Sequence, residues 1–355
     1  MLPLGWTTAF SNTHKKIYYV HQETGRRQYE KPDELLENDR KDILTFYSKL
    51  PLTKNNQSQS WRGFNNFMKQ AIMEEFTMDL QVDYMNDFKY SVLDVACGTG
   101  GDVGKWMRLK ATSYLGFDNC KNSIDELKNR KYDNSMTIDA FVGDFTSAET
   151  WLKLPEKHFD VISCQFAAHY AFSDKTSVKT FISGIKRCLS SRGRVLITTV
   201  DSDCWRNHKK RSWGPAKISD VGNTSKEYGD RYLFQLDDRV NAPEWWVHTE
   251  VIKKEVIAQK LDFCFHANLA SLASWFGVDS PRIQSSRQVQ WVNSHEQVIN
   301  KMCPILDADS WAVMSLYKLF VFRAQNIFAG NSVIKDFEEW IRFQNEGKID
   351  ALVTN

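Results

Sequence analysis

The stretch Val92-Leu93-Asp94-Val95-Ala96-Cys97-Gly98-Thr99-Gly100-Gly101-Asp102 sets an acid on an apolar run and follows it with a turn of small residues. Gly98 and Gly100 permit positive φ and a close backbone approach to a ligand. A glycine turn alone also fits phosphate-binding dinucleotide folds. Here the glycine order departs from G-x-G-x-x-G and Asp94 precedes the glycines, which suits a ligand with an amino-acid moiety and no phosphate. Asp118 ends the next run, Tyr114-Leu115-Gly116-Phe117, where a carboxylate can accept both hydroxyls of a ribose. Asp144, after Val142-Gly143, ends a third run and is placed to accept from an adenine amino group. Read singly, each acid is equally an ordinary loop cap. Read together, they line the ligand crevice of an open α/β sheet.

The elements that must carry these acids alternate. The pattern predicts a helix over 64–82, a strand at 91–95, a helix around 101–109, a strand at 113–117 and a helix at 122–130. Strands at 138–142 and 159–164, a helix at 176–190 and a strand at 193–200 follow. Such alternation implies a parallel sheet with helices on both faces. Beyond it the pattern is less regular: a loop at 202–226, the run Tyr232-Leu233-Phe234, a helix at 249–261 and a late strand at 317–322. Ahead of it, residues 2–35 read as a tiny β meander, 34–50 as a polar helical connector and 53–60 as a polar loop. The expected division is a β module over 1–35, a linker over 36–60 and a large domain over 61–355.

Composition limits the function classes. At about 150 residues per domain, 355 residues make roughly two units. Lys and Arg total 46 against 44 Asp and Glu, so any nucleic-acid contact is local rather than a bulk charge effect. The 7 cysteines are scattered and never form C-x-x-C, which argues against a disulfide framework or a zinc cluster and for a reducing compartment. No metal site is expected. The start MLPLGWTTAF has neither the basic nor the apolar segment of a secretory signal, and no run reaches the ~18 apolar residues of a membrane span, so a soluble intracellular protein without a membrane partner is expected.

The glycine turn and its three acids resemble class I S-adenosylmethionine-dependent methyltransferases. The resemblance implies a seven-stranded Rossmann-like sheet whose last pair is antiparallel. Three further segments narrow it: Trp61-Arg62-Gly63-Phe64-Asn65-Asn66-Phe67-Met68-Lys69, Gln165-Phe166-Ala167-Ala168-His169-Tyr170, and Ala242-Pro243-Glu244-Trp245-Trp246, with Ser315–Phe322 near the end. In this order they resemble the eukaryotic mRNA cap guanine-N7 methyltransferases over roughly residues 60–325. The resemblance implies that Lys69 pairs with the methionine carboxylate of S-adenosylmethionine, that Gly98 approaches it, and that Asp118 holds the ribose and Asp144 the adenine. It implies that Gln165 and Tyr170 line the cofactor pocket, and that Asn65, Asn66, Gly101, His169, Glu244 and Tyr317 face the cap of a capped RNA. S-adenosylhomocysteine is the implied product and the nucleus the implied location, with a monomer expected.

The chemistry can also be argued from the substrate. Guanine N7 has a free lone pair, so its methylation removes no proton and needs no general base. Catalysis reduces to in-line positioning and a suitable field. Glu244 suits guanine, because a carboxylate accepts both N1–H and the exocyclic amine. His169 and Tyr317 would complete the positioning. Each has a plainer reading: a structural histidine, a loop acid, a core tyrosine. Some positions depart from the family. Thr99 stands where a lysine is usual, Met107 and Arg130 where lysine and tyrosine are expected, and Tyr228-Gly229-Asp230-Arg231-Tyr232 only loosely matches F-G-N-x-I-Y. Lys105 or Arg108 is the expected replacement for the missing charge beside the cap phosphates. The alternatives are a methyltransferase of another nucleotide or small molecule, and a non-enzymatic cap-binding scaffold.

At the other end, Leu2-Pro3-Leu4-Gly5-Trp6, Tyr18-Tyr19-Val20, Thr24-Gly25 and Gln28-Tyr29-Glu30-Lys31-Pro32 resemble a WW domain. The implied core is Trp6 with Tyr19 and Pro32. The implied groove for a proline-rich peptide, such as the RNA polymerase II C-terminal tail, is Tyr18 with Tyr29. Tyr29 stands where the second tryptophan is usual, and Gln22 where a histidine is common.

Overall fold

The computed structural model describes residues 2–3, 5–22, 25–29, 31–32, 34–49, 59–84, 89–206, 212–213, 216–219, 226–236, 240–276 and 308–325. Leu4, Thr24, Glu30, the basic run Lys209-Lys210-Arg211 and residues 326–355 lie outside them.

The first residues form a three-stranded antiparallel sheet, β1 (Trp6–Ser11), β2 (Lys16–His21) and β3 (Arg27–Gln28). Trp6 and Pro32 are buried beneath it and Tyr19 is half-buried. The Trp6 ring meets His21 edge-on at 5.2 Å. Two helices follow, α1 (Glu34–Lys49) and α2 (Gln59–Tyr84). The alternating part then runs β4 (Ser91–Val95), α3 (Val103–Arg108), β5 (Ser113–Asp118), α4 (Lys121–Asn129), β6 (Thr137–Val142), α5 (Ala148–Leu152) and β7 (Phe159–Gln165). A 3-10 turn over Ala168–Ser173 leads into α6 (Lys175–Cys188) and β8 (Leu189–Val200). After α7 (Ser202–Arg206) come β9 (Ser212–Trp213), β10 (Ala216–Ser219), β11 (Arg231–Leu236) and β12 (Val240–Trp245). The last described elements are α8 (Thr249–Ala258), β13 (Leu261–Asn268), α9 (Leu269–Trp275), α10 (Ala308–Met314) and β14 (Tyr317–Ala324).

The large sheet has seven strands in the order β13-β14-β8-β7-β4-β5-β6. Strands β4 to β8 are parallel, and β14 is antiparallel to both β8 and β13. This is the expected seven-stranded arrangement. Central strands buried on both faces explain the unbroken apolar runs. Leu93 and Val95 face one core with α5, α6 and α8, while Val92 faces a second core with α2, α3 and α4. Helix α6 makes its contact with Val178, Phe181, Ile182 and Ile185, spaced at one helical face.

Two segments differ from the sequence reading. The expected loop at 202–226 contributes α7, β9 and β10, and with β11 and β12 it builds a separate four-stranded antiparallel sheet. The expected helix at 249–261 ends at Ala258, and the chain then enters β13. The polar stretch at 34–50 is helical as expected, and it packs: Ile43 is buried in the core shared by α6 and β12.

Candidate functional site

The sheet order reverses between β4 and β7, and ligands of open α/β sheets bind outside the carboxyl ends of strands at such a point. Both strands end in backbone that side chains rarely adopt. Ala96 after β4 has φ 55° and Phe166 after β7 has φ 59°. Gly98 and Gly100 are also left-handed, at φ 54° and 73°. A Cβ at Gly98 or Gly101 would meet open space, whereas one at Gly100 would strike Leu127 at 2.8 Å. The turn thus keeps a cradle clear above it and packs tightly below.

The acids take different surroundings. Asp118 receives the Gly98 amide on one oxygen at 2.9 Å and the Cys120 amide on the other at 2.8 Å. Burial nevertheless raises its pKa. Asp144 accepts from the amide and hydroxyl of Thr146, both at 2.8 Å, in a local cap at the end of β6. Asp94 is buried, takes a 2.8 Å bond from the Tyr114 hydroxyl, and is pushed up to about 7 by burial and by Asp102. Asp102 is held low by two ammonium groups, Lys69 and Lys105, each within 2.7 Å.

Lys105 therefore does not replace a phosphate-facing charge. It is buried, and its ammonium also bonds Asn66 Oδ1 at 3.0 Å and the Gly101 carbonyl at 3.2 Å. Arg108 is exposed and reaches Gln70 at 2.8 Å. Thr99 accepts from Arg130 at 3.0 Å, which couples two of the departing positions to each other. Asn65 Oδ1 is buried with no hydrogen-bond partner among the described residues.

Across the crevice, the turn after β7 and the edge strand β12 bring His169 and Glu244 together. Edge position explains why β12 tolerates Pro243. Both side chains are buried, with His169 Nε2 lying 3.5 Å from Glu244 Oε1. Burial drives the two in opposite directions, His169 down to about 3 and Glu244 up to about 8. At neutral pH this is a contact between an uncharged imidazole and a protonated carboxyl, not an ion pair. Tyr232 Oη donates to Glu244 Oε2 at 2.5 Å. The Tyr232 ring in turn stacks on Trp246 at 4.0 Å, and Trp246 stacks on Trp205 at 5.2 Å. His169 Nδ1 faces the Thr199 hydroxyl at 3.4 Å, and its Nε2 has no hydrogen-bond partner among the described residues.

The remaining expected residues divide. Tyr170 stacks obliquely on His169 at 4.2 Å and shares a 3.0 Å hydrogen bond with the hydroxyl of Tyr47 on α1. Tyr317 is half-buried and meets the Phe166 ring edge-on at 5.1 Å. Gln165 is tied into the sheet: its amide nitrogen donates to Ser163 Oγ and the Leu196 carbonyl, and its oxygen accepts from Thr198. Sequence reasoning missed Tyr47 and Tyr232. The Tyr47 phenol is raised by burial and by the charges of Glu244 and Asp118, so it senses both halves of the crevice. In the small module, Tyr18 and Tyr29 pair edge-to-face at 6.1 Å, with His14 5.9 Å from Tyr29.

Comparison with known proteins identifies both parts of the chain. The family profile of the WW domain matches residues 2–32. An mRNA cap guanine-N(7) methyltransferase of Schizosaccharomyces pombe is 31% identical over 54% of this chain and 57% of its own. The protein of that name from Caenorhabditis elegans is 27% identical over 59% of this chain and 60% of its own. One from Arabidopsis thaliana is 26% identical over 66% and 68%. The chain thus spans about three fifths of the length of the first two relatives. The profile of the mRNA (guanine-N(7))-methyltransferase domain matches residues 31–325, more than half of the sequence, and the chain belongs to that family.

Proposed function

We propose that the chain methylates N7 of the terminal guanine of an mRNA 5′ cap, converting GpppN to m7GpppN with S-adenosylmethionine as donor. The residues present fit such a donor. Gly98 and Gly101 leave open the space a side chain would fill, and Asp118 is preset by two amides with further lone pairs free for a ribose. Lys69 and the Asp102 carboxylate it shares with Lys105 supply charge of both signs for an amino-acid zwitterion. Bound there, S-adenosylmethionine supplies a methyl group already activated on a sulfonium sulfur.

This chain's residues then hold the acceptor rather than react with it. N7 has no proton to lose, so His169, with its depressed pKa, is a neutral hydrogen-bonding group and not a base. Its Nε2, carrying the proton, donates toward guanine O6. Glu244 accepts from N1–H and the exocyclic amine, and its charge opposes the positive charge that develops as N7 is alkylated. Tyr232 keeps Glu244 oriented by donating to its other oxygen. Tyr317, Asn65 and Asn66 border the cap, with Asn65 Oδ1 buried and unpartnered among the described residues. The observation that carries the reading is the buried His169–Glu244 pair, whose Nε2 has no hydrogen-bond partner among the described residues.

The test is incubation of GpppG- and GpppA-capped RNA with labelled donor, followed by nucleotide mapping. Label in m7G supports the reading. Label in another nucleotide supports a different methyltransferase, and donor binding or cap binding without transfer supports a scaffold. The same reading places the protein in the nucleus as a monomer, with Tyr18 and Tyr29 taking a proline-rich peptide such as the RNA polymerase II tail. Titrating that peptide into the full chain should change tryptophan fluorescence, and substitution of Tyr29 by Ala should remove the change.

A further inference from the structure

Among the described residues, the buried Arg26 side chain ties the small β module to the large domain. Arg26 follows the turn after β2 and is 5% exposed. Its guanidinium lies 5.5 Å from the centre of the Trp6 ring, so the module's own core braces it. From there one nitrogen reaches Glu37 of α1 at 3.0 Å and the other reaches Asp174 at 3.1 Å. Arg40 of α1 joins the same group, with 2.9 Å to Asp174 and 3.0 Å to each of the Ser173 and Ser177 hydroxyls. Two guanidinium groups and two carboxylates balance in charge, which makes their burial tolerable. The adjoining backbone is equally close: a Cβ on Gly25 would lie 2.1 Å from the Glu149 carboxylate of α5, and Gly25 has φ 67°. The face so covered is the Trp6 face. Tyr29, 45% exposed, lies in the other ring cluster with Tyr18 and His14.

Asp174 is no remote anchor. It is the N-cap of α6, accepting from the Ser177 amide at 2.8 Å, and it directly follows the 3-10 turn that carries His169 and Tyr170. The helix that shares Arg26 through Glu37 also holds that turn further along, where Tyr47 bonds Tyr170. Asp39 of α1 binds Arg231 at 2.7 and 2.9 Å, on the strand beside the one that carries Glu244. Module, α1, turn and second sheet therefore close one ring of polar contacts around the guanine side of the crevice.

We propose that Arg26 is a positioning residue for cap methylation: the small module is a structural wall of the methyltransferase site, holding the His169–Tyr170 turn and α1 in register while its tyrosine face stays open to a peptide. This rests on the cap-methylation reading above. Arg26 touches no substrate, so its effect is on the placement of groups that do. Replacing it leaves Arg40 on Asp174, so the α6 cap survives.

The experiment uses the full chain as wild type, Arg26→Ala and Arg26→Lys, with Lys16→Ala as an exposed control in the same module. Arg26→Ala is expected to lower kcat/KM for capped RNA about tenfold. Binding of S-adenosylhomocysteine should change less than about twofold, because the glycine turn is untouched. Amide hydrogen exchange across residues 168–173 should accelerate in Arg26→Ala and not in Lys16→Ala. Arg26→Lys should recover part of both effects, since one ammonium can meet only one of the two carboxylates well. Unchanged exchange in the turn, or unchanged kcat/KM with a folded Arg26→Ala protein, overturns the proposal. A wild-type protein that methylates no cap defeats the cap-methylation reading instead, and the exchange measurement still decides whether Arg26 holds the turn.

Discussion

The two sides of the crevice solve the problem of buried charge in opposite ways. On the glycine-turn side all four acids are met by donors within the protein: amides on Asp118, a hydroxyl and an amide on Asp144, two ammonium groups on Asp102, and the Tyr114 hydroxyl on Asp94. On the guanine side Glu244 has one hydroxyl, His169 has a long contact to Thr199, and burial leaves both uncharged. On the first side Asp102 keeps its charge between two ammonium groups. On the proposed reading, the second acquires its charge only when a ligand brings donors of its own. A site that is neutral when empty and anionic when filled discriminates sharply, because a base lacking N1–H and the exocyclic amine gives the buried carboxylate no reason to ionise.

The strongest challenge to this contrast is Glu244→Ala, which should lower cap methylation at least about 100-fold while leaving S-adenosylhomocysteine affinity within about twofold. Isothermal titration alongside the methylation assay checks both. A parallel loss of cofactor affinity would mean the two sides are one unit. The reciprocal variant, Asp118→Ala, should weaken S-adenosylhomocysteine about tenfold or more, the loss of a charged acceptor, with capped-RNA binding held in a direct binding assay.

The pH dependence separates the sides more finely. Glu244 has a raised pKa near 8 in the free protein, so cap binding that needs the carboxylate must expel a proton below that value. Affinity for capped RNA should rise by up to about tenfold per pH unit towards pH 8 and then level off. The same measurement on Tyr232→Phe should move the plateau to higher pH, because the Tyr232 bond lowers the Glu244 pKa. Glu244→Gln should abolish the slope.

Stability reports on the same two groups in the folded chain. The folded chain keeps the Glu244 proton up to about 8, whereas an unfolded glutamate loses it above about 4.5, so the group's contribution to stability falls as pH rises through that window. His169 has the opposite sign: the unfolded imidazole takes a proton below about 6.5 and the folded one resists until about 3, so stability falls as pH drops between them. Thermal denaturation of Glu244→Gln against wild type should flatten the first slope and leave the second.

Much of the crevice was legible because it rests on local pattern. The apolar runs around Asp94 and before Asp118 follow from parallel strands buried within the sheet, and Gly98 takes a positive φ in the turn. The guanine side depends on long-range pairing, and there local reading failed. Pro243 made the Glu244 segment read as a loop, yet it pairs with β11 as an edge strand. Strand β13 alternates Leu261, Phe263, Phe265 and Ala267 with polar or small residues, a signal present but overshadowed by the preceding helix. Lys105 was misjudged because a polar side chain was taken to face a ligand, when hydrogen bonds inside the protein consume it. The polar residues of α1 concealed Ile43 and Tyr47, because a helix held largely by ion pairs shows only a thin apolar stripe.

The stack beneath Glu244 has a practical consequence. Trp205, Trp246 and Tyr232 lie ring upon ring, and the last of them carries the hydroxyl bonded to the carboxyl group. A proton leaving that carboxyl changes the electric field across two indoles. On the cap-binding reading, the emission of this column should shift in the unlabelled protein as capped RNA is added, against the background of the other tryptophans among the 12 in the chain.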